Sequence, residues 1–105
     1  MRINDKIKEV EDYLSELREI VPDKYHDYIR DLKMRAACER YFEKIVGGVI
    51  DLAFLLIKER GLKIPEEEKE AFEILADEKI ITKDLSIKLK DAKGMRNILA
   101  HEYGK

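Results

Sequence analysis

The residues best equipped for chemistry stand together near the end of the chain, in the run Arg96-Asn97-Ile98-Leu99-Ala100-His101-Glu102-Tyr103. A guanidinium grips phosphate with two parallel hydrogen bonds and keeps its charge at any working pH. An imidazole titrates near neutrality and can take or give a proton. An amide such as Asn97 orients a ring nitrogen or a phosphate oxygen. Together these are the parts for cutting RNA without a metal. One His takes the proton of a ribose 2′-hydroxyl, whose oxygen attacks the adjacent phosphorus. Arg96 stabilises charge on the transition state, and a second His protonates the departing 5′-oxygen. Positioned proton transfer contributes ~10²–10⁴-fold, and preorganised charge adds several kcal/mol. DNA, which has no 2′-hydroxyl, is spared.

These residues fall on a helical segment for which Thr82 is the expected N-cap. Its apolar stripe reads Leu85, Leu89, Ala92, position 96, Leu99, position 103. Arg96 and Tyr103 occupy two of those places. A charge on an apolar stripe is expensive unless paired or bordering a wet cleft, so this break in the pattern marks the site. At 100° per residue Tyr103 lies about 20° from Arg96, whereas His101 lies about 140° away. One helix cannot aim both Arg96 and His101 at one atom. A second copy of the helix, supplied by a two-fold dimer, can.

Three other segments precede it. Ile3, Ile7, Val10, Leu14, Leu17 and Val21 form one stripe of a first helix that Pro22 ends. A second helix is read from about Tyr25 to Arg60. Its stripe is Cys38, Phe42, Ile45, Val49, Leu52 and Leu56, widened by Val46, Ile50, Ala53 and Ile57. Such a broad apolar face asks for more cover than four helices provide, which again favours a homodimer. Gly47 and Gly48 suggest close approach of another backbone, and Gly61 the stop. A third helix, about 65–77, is expected to carry Pro65 in its first turn, followed by Glu66–Glu68. The whole, residues 1–105, reads as one all-α domain, an antiparallel up-and-down four-helix bundle.

Composition narrows the function. Charged residues make up 42%, the formal net charge is −2 and there is no Gln. A chain that coats nucleic acid non-specifically is usually basic, so any RNA contact must be local. Residues 83–96 carry a surplus of three positive charges, with Lys90 and Lys93 as candidate RNA contacts; an ordinary solvated face fits Lys83 and Lys88. The longest apolar run, Ile45–Ile57, is 13 residues and contains Asp51, against about 20 for a membrane span. One cysteine and no recognisable signal peptide predict a reducing cytoplasm. No His/Cys/Asp cluster has zinc spacing, no glycine-rich loop offers a phosphate cradle, and no cofactor is implied. Asp51, the one charge inside the apolar run, either pairs with Arg96 or a neighbouring chain, or orients a catalytic group. Bland roles stand beside the sharp ones. Arg96 fits an ion pair with Asp51 or Asp91, His101 a helix-end histidine, and Tyr103 a core aromatic.

The motif Arg96-Asn97-x-x-x-His101-x-Tyr103 resembles that of the HEPN superfamily. It is most similar to the HepT-like toxins, which pair with MntA-like nucleotidyltransferase antitoxins. The resemblance extends upstream through the stretch ERYFEKIVGGVIDLAFLLIKERGLKIPEEEKEAFEIL, covering about residues 30–103. It implies a helical homodimer with the motif at the interface and endoribonuclease activity. Arg96, Asn97 and His101 would be the catalytic residues. It also implies control by transfer of AMP onto Tyr103. Family members often continue past the motif, whereas this sequence ends at Lys105. The rival reading is a non-catalytic helical dimer that binds a nucleotide or a nucleotidyltransferase.

Overall fold

The computed structural model describes residues 2–103, and of residues 102 and 103 only the backbone. Five helices follow one another: α1 (Arg2–Ile20), α2 (Tyr25–Arg30), α3 (Leu32–Glu59), α4 (Glu68–Asp77) and α5 (Lys83–Tyr103). The radius of gyration is 15.1 Å, above the ~13 Å of a compact domain of this length. The bundle is drawn out, 46 Å along its longest axis.

The long second helix of the sequence reading is in fact two. Asp31 adopts an extended backbone (φ −100°, ψ 99°), and its carboxylate accepts a hydrogen bond from the Met34 amide at 3.0 Å. A side chain that caps the next helix ends the previous one, and aspartate does this readily. The short α2 is tied down by Tyr28, whose hydroxyl donates to Glu39 on α3 at 2.8 Å. Burial first, and then that bond, push the Tyr28 phenol up to about 12.

The inward row of α3 is Val46, Ile50, Ala53 and Ile57, packed on Ala71, Phe72 and Leu75 of α4, with Leu89 and Ala92 of α5 alongside. The row Ile45, Val49, Leu52 and Leu56 takes the half-buried flank, a rotation of one residue from the expected stripe. On α1 only part of the expected stripe turns inward: Val10 is buried against α3 and Ile3, Leu14 and Leu17 are half-buried, whereas Ile7 is exposed and Val21 lies exposed just past the helix. Gly48 admits that contact: a Cβ there would stand 2.6 Å from a Val10 methyl, whereas one at Gly47 would meet nothing within 4 Å. Close approach therefore explains one glycine and not the other, and the neighbour is a side chain.

Gly61 ends α3 with φ +67°. Leu62 N–H bonds the Ile57 carbonyl, and Gly61 N–H bonds that of Lys58. This is the paired 6→1 and 5→2 closure of a Schellman stop. The same closure ends α4, with Lys79 in the left-handed position at φ 60°. Pro65 does not open α4. It is buried in the loop, and the helix begins at Glu68 after an extended Glu67 (φ −129°). Thr82 caps α5 as expected, its hydroxyl oxygen accepting from the Leu85 amide at 3.0 Å. Among the described residues no helix is long and apolar enough to cross a membrane.

Candidate functional site

The last helix sets the geometry. Its buried face begins at Ser86 and continues through Leu89, Ala92, Arg96 and Leu99, while Leu85 lies exposed. Arg96 therefore does point inward, as the broken stripe required. Its side chain is 28% exposed and its guanidinium Nη1 stands 3.9 Å from Glu68 Oε1. Glu68 itself is 40% exposed, so the contact is wet and loose.

Neither expected partner holds Arg96. Asp91 lies five residues back on the same helix, about 140° round it. Asp51 is 64% exposed on α3 and is held instead by Lys6 of α1, at 3.5 Å. Lys6 also grips Glu9 at 2.8 Å, and that bond raises its pKa. Glu68 was legible only as a helix start. It reaches Arg96 because α4 runs antiparallel to α5. The same register brings Lys90 to Glu73 at 3.0 Å, six residues back along α5 and five on along α4.

Lys90, read as an RNA contact, thus already holds a carboxylate. Lys88 likewise holds Asp84 at 3.1 Å. Lys93 is half-buried, with no carboxylate among the described residues within ion-pair distance. Asn97 and His101 are both exposed and one turn apart, about 100° and 140° round α5 from Arg96. The single helix therefore presents Arg96 to its own bundle and His101 to solvent. Beside His101 runs an apolar strip that none of the described elements covers, with Ile87, Met95 and Ile98 at 55%, 49% and 62% exposure. Gly94 interrupts this strip.

Tyr103 is the last residue of α5. Its side chain, the expected modification site, lies outside the described residues; the helix itself stays unbroken from Arg96 to it. Cys38 is buried between α3 and its neighbours, and burial pushes its thiol up, away from reactivity. Among the described residues no three His, Cys, Asp or Glu side chains are grouped as a metal ion would need.

An open concavity of about 510 Å³ adjoins Arg96 through Glu68, with Arg2, Lys6, Asp51, Lys58 and Ile64 among its walls. The arrangement suits an anion: a guanidinium held loosely by one carboxylate that a phosphate can displace, next to further cations.

Known proteins share this fold and part of this sequence. An mRNA nuclease, HepT, of Shewanella oneidensis is 26% identical over 101 residues, which span 96% of this chain and 75% of that one. The fold matches a tri-AMPylated HEPN toxin of the same organism, solved in complex with an MNT antitoxin. The TM-score is 0.88 at 26% identity, over 96% of this chain and 75% of that one. It also matches a toxin–antitoxin structure containing AMP-PNP, with a TM-score of 0.87 at 24% identity, over 98% and 78% of the two chains. The sequence profile described as "Ribonuclease HepT-like" matches residues 10–105. Matched over nearly its whole length by that family's pattern, this chain belongs to the HepT-like ribonuclease family.

Proposed function

We propose that this protein is the ribonuclease toxin of a toxin–antitoxin pair, acting as a homodimer whose two α5 helices meet. One observation carries the reading. Arg96 and His101 face opposite sides of one helix, and His101 is bordered by an uncovered apolar strip. A second α5 crossing over that strip buries it and sets the partner's His101 at the edge of α5, from which a phosphate can bridge it to this chain's guanidinium.

The chemistry then follows. The scissile phosphate displaces Glu68 and takes the Arg96 fork. One His101 accepts the 2′-hydroxyl proton as O2′ bonds to phosphorus. The bond from phosphorus to O5′ breaks, and the other His101, protonated, gives its proton to that oxygen. The products are a 2′,3′-cyclic phosphate end and a free 5′-hydroxyl. Asn97, one turn before His101, orients the phosphate or the ring. Lys93 supports the strand. Asp51, already paired to Lys6, acts at a distance by holding Lys6 in place and takes no proton.

Control follows from the same helix. Tyr103 lies about 20° from Arg96 and two turns on. AMP placed there by an MntA-like nucleotidyltransferase antitoxin brings a phosphate within range of Arg96 and occupies the substrate's place. Such a pair works in the cytoplasm, where Cys38 stays a thiol. The experiment is a cleavage assay on His101→Ala. It is expected to fold and dimerise like the wild type and to lose cleavage by the ~10²–10⁴-fold of positioned proton transfer. Retained cleavage defeats the assignment.

A further inference from the structure

We propose that the concavity beside Arg96 is a subsite for the RNA phosphates that flank the scissile one, with Arg2 and Lys58 as its cations. The proposal rests on the phosphate-binding role of Arg96.

The charges of the walls show which cations are available. Asp51 is held by Lys6 at 3.5 Å, and Lys6 is further held by Glu9 at 2.8 Å. Glu68 is held by Arg96 at 3.9 Å. Each carboxylate in the concavity thus has a cation beside it, Lys6 being shared between Asp51 and Glu9. Arg2 and Lys58 also line it, and among the described residues no carboxylate lies within ion-pair distance of either. Both are exposed. On α5, by contrast, Lys88 and Lys90 are both paired. In a chain of net charge −2, a concave surface whose walls carry three cations, Arg2, Lys6 and Lys58, against two carboxylates, Asp51 and Glu68, holds a local positive field. Arg2 stands in the first turn of α1, where the helix dipole disfavours a cation, so helix stability does not explain it.

Position gives the field its use. Glu68 is at once a wall of the concavity and the partner of Arg96. A phosphodiester seated on Arg96 therefore has its neighbour along the strand one side chain away from the concavity. Ile64, 60% exposed in the same wall, offers an apolar surface for a ribose or base.

The test measures binding of a short single-stranded RNA by fluorescence anisotropy between 50 and 200 mM salt, in the His101→Ala background so that the strand survives. Each of Arg2→Gln and Lys58→Gln is expected to weaken binding and to flatten the plot of log affinity against log salt by ~0.7, the share of one phosphate contact on a single strand. Lys58→Arg should keep the slope. Lys8→Gln, whose lysine is already paired to Asp12 at 3.3 Å, should change nothing. Unchanged slopes in both Gln variants overturn the subsite, as does the absence of RNA binding. Displacement of the RNA by micromolar AMP would assign the concavity to a mononucleotide and overturn a strand track. Failure of the nuclease reading is separately visible. Wild-type protein that binds with these slopes but does not cut sinks the nuclease and leaves the subsite, and cutting with unchanged slopes does the reverse.

Discussion

Ile98→Glu is the substitution that bears most directly on how the site is completed. Ile98 is 62% exposed on the uncovered strip of α5 and one turn from His101. In the isolated chain the change touches little, and glutamate is a good helix former, so monomer stability should move by no more than ~0.5 kcal/mol. In a dimer closed through this strip the cost is larger. Full burial of an isoleucine side chain is worth ~1.5–3 kcal/mol, so burying the exposed share contributes ~1–2 per copy. Two-fold symmetry doubles this to ~2–4 kcal/mol, roughly a 30- to 1,000-fold rise in the dimer dissociation constant. The two new carboxylates repel each other as well. Sedimentation equilibrium over a range of concentrations reads the association, circular dichroism confirms the helices, and cleavage of an RNA oligonucleotide reads activity. Dissociation and loss of cleavage should fall together and recover at high protein concentration. A variant that remains dimeric refutes the strip as the interface. A monomer that cuts at the wild-type rate refutes the shared site.

Glu68→Gln removes the carboxylate that competes with phosphate for Arg96. A wet pair of this kind is worth ~0.2–1 kcal/mol, so KM for RNA should fall by up to about fivefold at low salt, with kcat unchanged and the effect fading as salt rises. A kcat loss matching that of Arg96→Ala would show that Glu68 orients the guanidinium. Lys79→Gly relieves a left-handed backbone that costs a side-chain-bearing residue ~1–2 kcal/mol. The thermal midpoint should rise by ~4–8 °C, and a fall counts against the assignment of strain. Gly47→Ala and Gly48→Ala form a matched pair. Both gain ~1 kcal/mol of helix propensity. Only the second drives a Cβ to 2.6 Å from the stiff Val10 side chain, at a cost of ~1–3 kcal/mol. Melting should order them Gly47→Ala above wild type above Gly48→Ala.

Local rules carried well wherever the cause was local. The stop at Gly61 and the Thr82 cap depend on residues within a turn or two of each other, and both stand as the sequence reads them, while of the α1 stripe Val10 is buried and Ile7 is not. The same rules missed where two local choices compete. Asp31 could sit within a long helix or cap a new one, and the bond to Met34 settles it for the cap. Pro65 could open α4 or anchor the loop, and burial of its ring selects the anchor. The inward row of α3 was ambiguous because both rows are apolar. Only the position of α4, with Phe72 and Leu75, decides between them.

For the site, angles were legible and partners were not. Periodicity alone separates Arg96 from His101 by about 140°, and their burial bears this out, one half-buried and the other exposed. What Arg96 touches depends on the register of α4 against α5, a quantity no spacing within one helix contains. That register gives Arg96 to Glu68 and Lys90 to Glu73 together, so one packing choice holds Arg96 in a loose, wet pair and engages Lys90 with a carboxylate. Besides Lys93 of α5, the cations of the concavity without a carboxylate partner among the described residues are then Arg2 and Lys58 of helices α1 and α3. On the proposed reading, a site whose motif lies in one helix draws part of its substrate-facing charge from two others, and substitutions on α1 should alter RNA affinity while leaving the motif untouched.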